Sequence, residues 1–218
     1  MTDTDLSADA LGRLGADRVV VLLDGLDPAD PALAELDINV IGQVVDPRSL
    51  GRDQFVALLA ALDRLAGLGA HVDLSRMDAR TFARIIGRAS TDQVKGVLAR
   101  PELRTRILDE IFRRMSEHLR TERAATVNAV VHWRLTGGSG ESGYDRWETV
   151  IENGTCLVYR ESTRDPRVTI TVHPVDFLKL ITNNASGPVL FLTGKLKIKG
   201  DLGFAAGLTS LFDLPRAA

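Results

Sequence analysis

The chain has 218 residues, 44% of them hydrophobic and 26% charged, with a formal net charge of −2. That length allows one large domain or two small ones. The composition excludes a disordered chain, a collagen-like repeat and a disulfide scaffold, and a charge near zero gives no global reason to expect nucleic acid as a partner.

The opening residues, Met1 to Asp9, are polar and acidic and lack the basic and apolar regions of a secretory signal. Apolar stretches stay well short of the ~20 residues that cross a bilayer. Cys156 is the single cysteine and cannot make an internal disulfide. These features together predict a soluble cytoplasmic protein.

Up to about Arg123 the apolar residues recur at helical spacing. Val19 to Leu23 is a short apolar run that reads equally as a strand or as part of a buried helix, and Asp27-Pro28 and Asp30-Pro31 mark turns after it. Phe55, Leu58, Leu59, Leu62 and Leu65 share one helix face, with Gly67 and Gly69 as its stop. A second helix carries Phe82, Ile85 and Ile86. A third opens on Ser90, with Gln93 at capping-box spacing. Beyond Pro101 the stripe Leu103, Ile107, Leu108, Ile111, Met115 and Leu119 predicts the most regular helix. Its other face mixes Arg106, Arg113, Arg114 and Arg120 with Glu110 and Glu117 and reads as solvated.

Past residue 125 the period becomes two. Val127, Ala129, Val131, Trp133 and Leu135 alternate with more polar positions, which predicts a strand with one face buried. Gly137 to Gly143 is a glycine/serine connection. Tyr144–Ile151 and Thr155–Arg160 are two strands joined by Asn153-Gly154, a strong hairpin signal. Val168, Ile170 and Val172 mark a fourth strand that Pro174 ends, and Asp176 to Ile181 a short helix capped by Asp176. Gly187-Pro188 is read as a turn into a fifth strand, Val189 to Lys199, followed by a last helix, Leu202 to Phe212. The expected class is α+β: a five-stranded sheet covered by helices and preceded by an all-helical N-terminal region, with a division between residues 102 and 103.

Two features of the closing segment stand out. In Lys195-Leu196-Lys197-Ile198-Lys199 the lysines share one sheet face, solvated or turned toward a membrane surface. The helix after it is apolar on almost every side, so something must cover it: the N-terminal helices, a second subunit or a bound apolar molecule. Gly203, Ala205, Ala206 and Gly207 are too small to fill the space facing the sheet.

The stretch Thr169 to Phe212 resembles the sterol carrier protein-2 family. The resemblance rests on Asp176-Phe177 opening a short helix, on Gly187-Pro188, and on the block Gly194-Lys195-Leu196-Lys197-Ile198-Lys199-Gly200-Asp201-Leu202-Gly203 before an apolar helix. Asn153-Gly154 and Ile111-Phe112-Arg113-Arg114-Met115 sit where that family has its hairpin and first helix. The resemblance implies a tunnel between sheet and last helix for a sterol, fatty acid or acyl-CoA. Carried onto this chain, it names Trp133, Leu180, Ile181, Phe191, Leu196, Ile198, Phe204, Leu208, Leu211 and Phe212 as ligand-lining residues, with no catalytic residue, metal or cofactor. Asn183-Asn184-Ala185-Ser186 and Arg164-Asp165-Pro166-Arg167 depart from the family pattern.

Catalytic patterns are weak. Gly137-Gly138-Ser139-Gly140 lacks the Lys-Ser/Thr of a phosphate loop, and Gly140-Glu141-Ser142-Gly143-Tyr144 misses the last glycine of a nucleophile elbow. His71, His118, His132 and His173 are scattered without ligand spacing, and Cys156 sits mid-strand as a buried thiol. Beside a lipid carrier, the readings left open are an enzyme or accessory protein acting on a hydrophobic metabolite such as a polyketide or terpenoid, and an interaction protein whose N-terminal helices bind a partner or a second copy.

Overall fold

The computed structural model describes residues 5–27, 29–67, 72–138 and 142–215. The chain divides into two compact units, one ending at Ile107 and the other beginning at Leu108.

The first unit is helical: α1 (Ala8–Leu14), α2 (Ala16–Gly25), α3 (Ile38–Val44), α4 (Arg52–Gly67), α5 (Ala79–Arg88), α6 (Thr91–Leu98) and the first half of α7 (Pro101–Met115). The ambiguous run Val19 to Leu23 lies within α2, where Val19, Val20 and Leu23 are buried and Val21 faces out, a helical and not an alternating pattern. Leu11, Leu23, Leu36, Ile38, Ile41 and Leu65 are the largest fully buried side chains of this core. The capping box at Ser90 is formed: its hydroxyl accepts from the Gln93 N–H at 3.1 Å, and Gln93 Oε1 accepts from the Ser90 N–H at 2.7 Å. The buried Gln93 amide also donates to the carbonyls of Pro47 and Leu50, both at 2.8 Å, so one side chain closes a helix end and holds a distant loop. Gly69 and His71 lie outside the described residues.

In the second unit α7 gives way, after a short α8 (Thr121–Ala124), to β1 (Asn128–Thr136), β2 (Tyr144–Glu152), β3 (Thr155–Tyr159) and β4 (Val168–Val172), then α9 (Pro174–Ile181), α10 (Gly187–Leu192), β5 (Leu196–Gly200) and α11 (Leu202–Leu208). The strands form one sheet in the order β3-β2-β1-β4-β5. β1 pairs antiparallel with β2 and parallel with β4, so the sheet is mixed. The β2–β3 hairpin turns at Asn153 (φ 51°) and Gly154 (φ 73°), the paired positive φ values of its tight turn. Ser139, Gly140 and Glu141, in the β1–β2 connection, lie outside the described residues.

Several boundaries differ from the periodicity. Val189 to Leu192 is not strand: Pro188 sits in the first turn of α10, where its fixed φ and missing N–H suit a helix, and Gly194 (φ 72°) ends the turn before β5 starts at Leu196. The last helix stops at Leu208 and continues only as a 3-10 turn, Thr209–Leu211. Phe212 and Leu119 form an isolated antiparallel bridge, so neither belongs to a helix. The cap of α9 is His173, whose Nδ1 accepts from the Val175 N–H at 3.2 Å, and not Asp176.

Candidate functional site

Alternation along the strands sends Trp133, Ile170 and Ile198 to one sheet face, and the register aligns them: Trp133 pairs with Ile170, and Ile170 with Ile198. Leu135, Val172 and Leu196 form the next rank. At the β2 end of this face four aromatic rings fill the space. Phe112 stacks on Trp147 (centroids 4.3 Å apart) and on Phe177 (5.3 Å), while Trp133 meets Phe112 and Phe177 at an angle. The Trp133 indole N–H donates to Thr149 Oγ1 at 3.1 Å, which fixes the ring that separates this cluster from the β5 end.

At the β5 end the filling stops. There Ile170, Leu196 and Ile198 face α10 and α11, whose nearest residues include Gly187, Ala205 and Ala206, and a cavity of about 210 Å3 remains. A cavity of roughly 150 Å3 lined by aliphatic side chains stays dry and accepts an aromatic guest, so this space is sized for apolar atoms. The gap follows from residue size: alanine and glycine cannot reach the sheet, and α11 is held at its start by other contacts. Asp201 accepts from the Phe204 N–H at 2.8 Å and from Arg167 Nε and Nη2 at 2.9 and 2.8 Å. The Phe204 N–H and the Arg167 guanidinium hold the Asp201 carboxyl below the usual carboxylate range.

Of the residues named from the sequence, Trp133, Leu180, Phe191, Leu196, Ile198 and Leu208 line this cavity. The other four do not. Phe204 lies against Arg167, whose Cζ is 4.4 Å from the centroid of the Phe204 ring, on a different side of α11. Leu211 and Phe212 are buried where the chain pairs with residues 118–120, through Arg120 N–H to the Leu211 carbonyl and Asp213 N–H to the His118 carbonyl, both at 2.7 Å. Ile181 is in neither this wall nor the one described next. Ile170, Gly187, Pro188, Leu202, Ala205, Ala206 and Thr209 also line the cavity. Ile170 was recoverable from strand alternation; Pro188 was obscured once α10 was read as strand.

Leu180, Gly187, Pro188 and Thr209 also line a second, open cleft of about 950 Å3. Its character is polar: Arg120, Arg123, Asn183, Asn184, Ser186, Ser210 and Asp213 contribute. Arg120 pairs with Asp213 at 3.0 Å, both well exposed, whereas Arg123 donates to the Ser210 carbonyl at 3.3 Å. With two guanidinium groups and one carboxylate, the cleft is cationic. An apolar cavity and a cationic cleft therefore share a wall.

Elsewhere in this unit, Glu148 is fully buried on the opposite sheet face. It accepts from the Thr163 and Arg164 N–H groups at 3.0 Å, pairs with the Arg164 guanidinium, and has His132 Nε2 at 3.1 Å. Burial alone would raise its pKa; the Arg164 N–H and guanidinium, His132 and the Thr163 N–H outweigh it, and the net shift is downward. Burial pushes the Cys156 thiol up to about 11, which leaves it protonated and unreactive near neutrality. Among the described residues no three His, Cys, Asp or Glu side chains are placed to hold a metal, and no helix is long and apolar enough to cross a membrane.

Residues 108–213 match the model of the SCP-2 sterol transfer family. Hydroxysteroid dehydrogenase-like protein 2 of Bos taurus is 27% identical over 113 residues, 52% of this chain and 26% of that protein. Oleate-induced peroxisomal protein POX18 of Candida maltosa is 29% identical over 108 residues, 49% of this chain and 84% of that one. The structure of the sec-alkylsulfatase Pisa1 from Pseudomonas sp. aligns over 96% of this chain and 33% of its own, with 13% identity and a TM-score of 0.44. The chain thus spans about a quarter of the dehydrogenase-like relative and most of the Candida maltosa one. With its mixed five-stranded sheet, its helices and this family match, the C-terminal half of the chain is an SCP-2 domain.

Proposed function

We propose that this domain carries a lipid with one flexible acyl chain and an anionic head, such as a fatty acid or acyl-CoA. The observation that carries the reading is the wall shared by an apolar cavity and a cationic cleft. A buried methylene is worth about 0.8 kcal/mol, so a chain gains affinity in proportion to the carbons it hides without needing polar anchors. The cavity is smaller than the ~300–1,000 Å3 typical of sites for compact drug-sized ligands. A rigid ring system such as a sterol would need α11 to move outward. A flexible chain fills the available space and continues past Thr209 and Pro188 into the cleft, where Arg120 and Arg123 meet its head. The family match and the relative named for oleate induction support a lipid ligand.

The test is a titration of the delipidated full chain with a fluorescent fatty acid, displaced in turn by palmitate, hexadecanol and cholesterol. Saturable binding with palmitate ahead of the alcohol and the sterol is expected. Arg120→Gln with Arg123→Gln should weaken palmitate by between about two- and fivefold, as befits exposed charges, and leave hexadecanol unchanged. Absence of saturable binding overturns the carrier reading; equal affinity for acid and alcohol overturns the assignment of the head.

A further inference from the structure

We propose that the rim of the cavity is a docking surface for an anionic membrane leaflet, centred on α10 and the edge strand β5. This rests on the carrier reading for its purpose but on separate observations for its evidence. Among the described residues, four of the seven exposed large apolar side chains belong to this one rim: Val189, Phe191 and Leu192 on α10, and Leu202 at the start of α11. Leu192 is 82% exposed and Val189 57%, both more than Phe191 on the same six-residue helix, while Phe191 and Leu202 also form part of the cavity wall.

The segment between these two helices is β5, at the open edge of the sheet. Its Leu196 and Ile198 turn into the cavity and its Lys197 and Lys199 turn to the other face, both exposed. Across the sheet, Lys197 stands in one rank with Thr171, Arg134 and Arg146. Arg134 and Arg146 are directly opposed, an arrangement that costs stability between like charges. Among the described residues none of Arg134, Arg146, Lys197 and Lys199 has a carboxylate oxygen within 4 Å. The rank that ends on Lys197 therefore brings bases without acids to the same edge as the exposed apolar rim, while the rank of Lys199 ends on Glu148, which is buried and paired with Arg164.

Apolar side chains that enter the acyl boundary beside lysines held at the headgroups are the signature of an interfacial contact. An acidic protein would satisfy the charges. It would give Leu192 and Val189 no acyl phase to enter, and it would not take up an acyl chain at the exposed wall residues Phe191 and Leu202. A leaflet does all three, letting an acyl chain pass from bilayer to cavity without crossing water.

Co-sedimentation of the full chain with phosphatidylcholine vesicles, with and without phosphatidylserine, tests this. The expected result is binding to the anionic vesicles that weakens with salt and is much lower on the neutral ones. Lys197→Gln with Lys199→Gln should weaken it about 25-fold, at roughly fivefold per lysine. Leu192→Ser should weaken it without changing the preference for anionic lipid. None of these three residues lines the cavity, so all the variants should keep the parent melting temperature and the parent affinity for a soluble fluorescent fatty acid. Equal binding to both vesicle types, or variants that bind vesicles like the parent, would overturn the docking surface. Loss of fatty-acid binding in the parent would overturn the carrier reading alone.

Discussion

Replacing Ala205 by leucine sends three more carbons toward the space between α11 and β4–β5. Ala205 lies mid-helix and lines the cavity, so leucine keeps the backbone and changes helix propensity little. At about 0.8 kcal/mol per buried methylene the three carbons are worth up to about 2.4 kcal/mol, and a gain of roughly 1–2 kcal/mol in stability is expected if one rotamer fits without strain. In a unit of this size that raises the melting temperature by several degrees. The same carbons exclude about three methylenes of a bound chain, which weakens a long-chain fatty acid by about fiftyfold. Calorimetry of the delipidated protein and a displacement series over chain length read the two effects separately. Long chains should lose most, and chains too short to reach Ala205 should lose nothing. A drop in stability with undiminished affinity would refute the reasoning, because it would mean that the space is already packed and that ligands lie elsewhere.

Further outcomes follow from other parts of the second unit. Phe112→Ala removes the ring on which Trp147 and Phe177 stack and should cost about 3–5 kcal/mol. Urea unfolding followed by tryptophan fluorescence reports it, since both tryptophans, Trp133 and Trp147, contact this ring. Gly200→Ala should destabilise the β4–β5 pair by about 1–3 kcal/mol, because φ is 107° there and a Cβ would run into the Arg167 carbonyl; amide exchange in β4 and β5 would rise first. Glu148 is held below its ordinary value near 4.5, so the stability it adds is complete above that pH and is lost as pH falls through the lower folded value. Glu148→Gln should flatten the acid limb of a pH–stability curve below about pH 4.5, at the cost of weaker pairing at neutrality. An unchanged acid limb would show that other carboxylates dominate it.

Strand alternation survives folding because each strand has one buried face, which is why β1, the β2–β3 hairpin and β4 were legible within a residue or two. The Ser90–Gln93 box was legible because its two hydrogen bonds are local. Val189 to Leu192 misled because a short apolar run carries no period of its own, and Pro188 begins a helix as readily as it follows a turn. Phe204 lies outside the cavity wall for a related reason. An all-apolar helix does not say which side meets the sheet; the fork of Arg167 on Asp201 and the Arg167–Phe204 contact turned it away.

The amino-acid order by itself determined the helical first half, the alternating strands, and small residues on the closing helix too short to meet a sheet. Those are matters of local conformation and volume. Only the tertiary structure decided that the void sits at the β5 end, beyond a cluster of stacked aromatics, and that Arg120 and Arg123 come to the same wall as residues some sixty to ninety positions later. Strand order and helix placement set those distances, and no local preference encodes them.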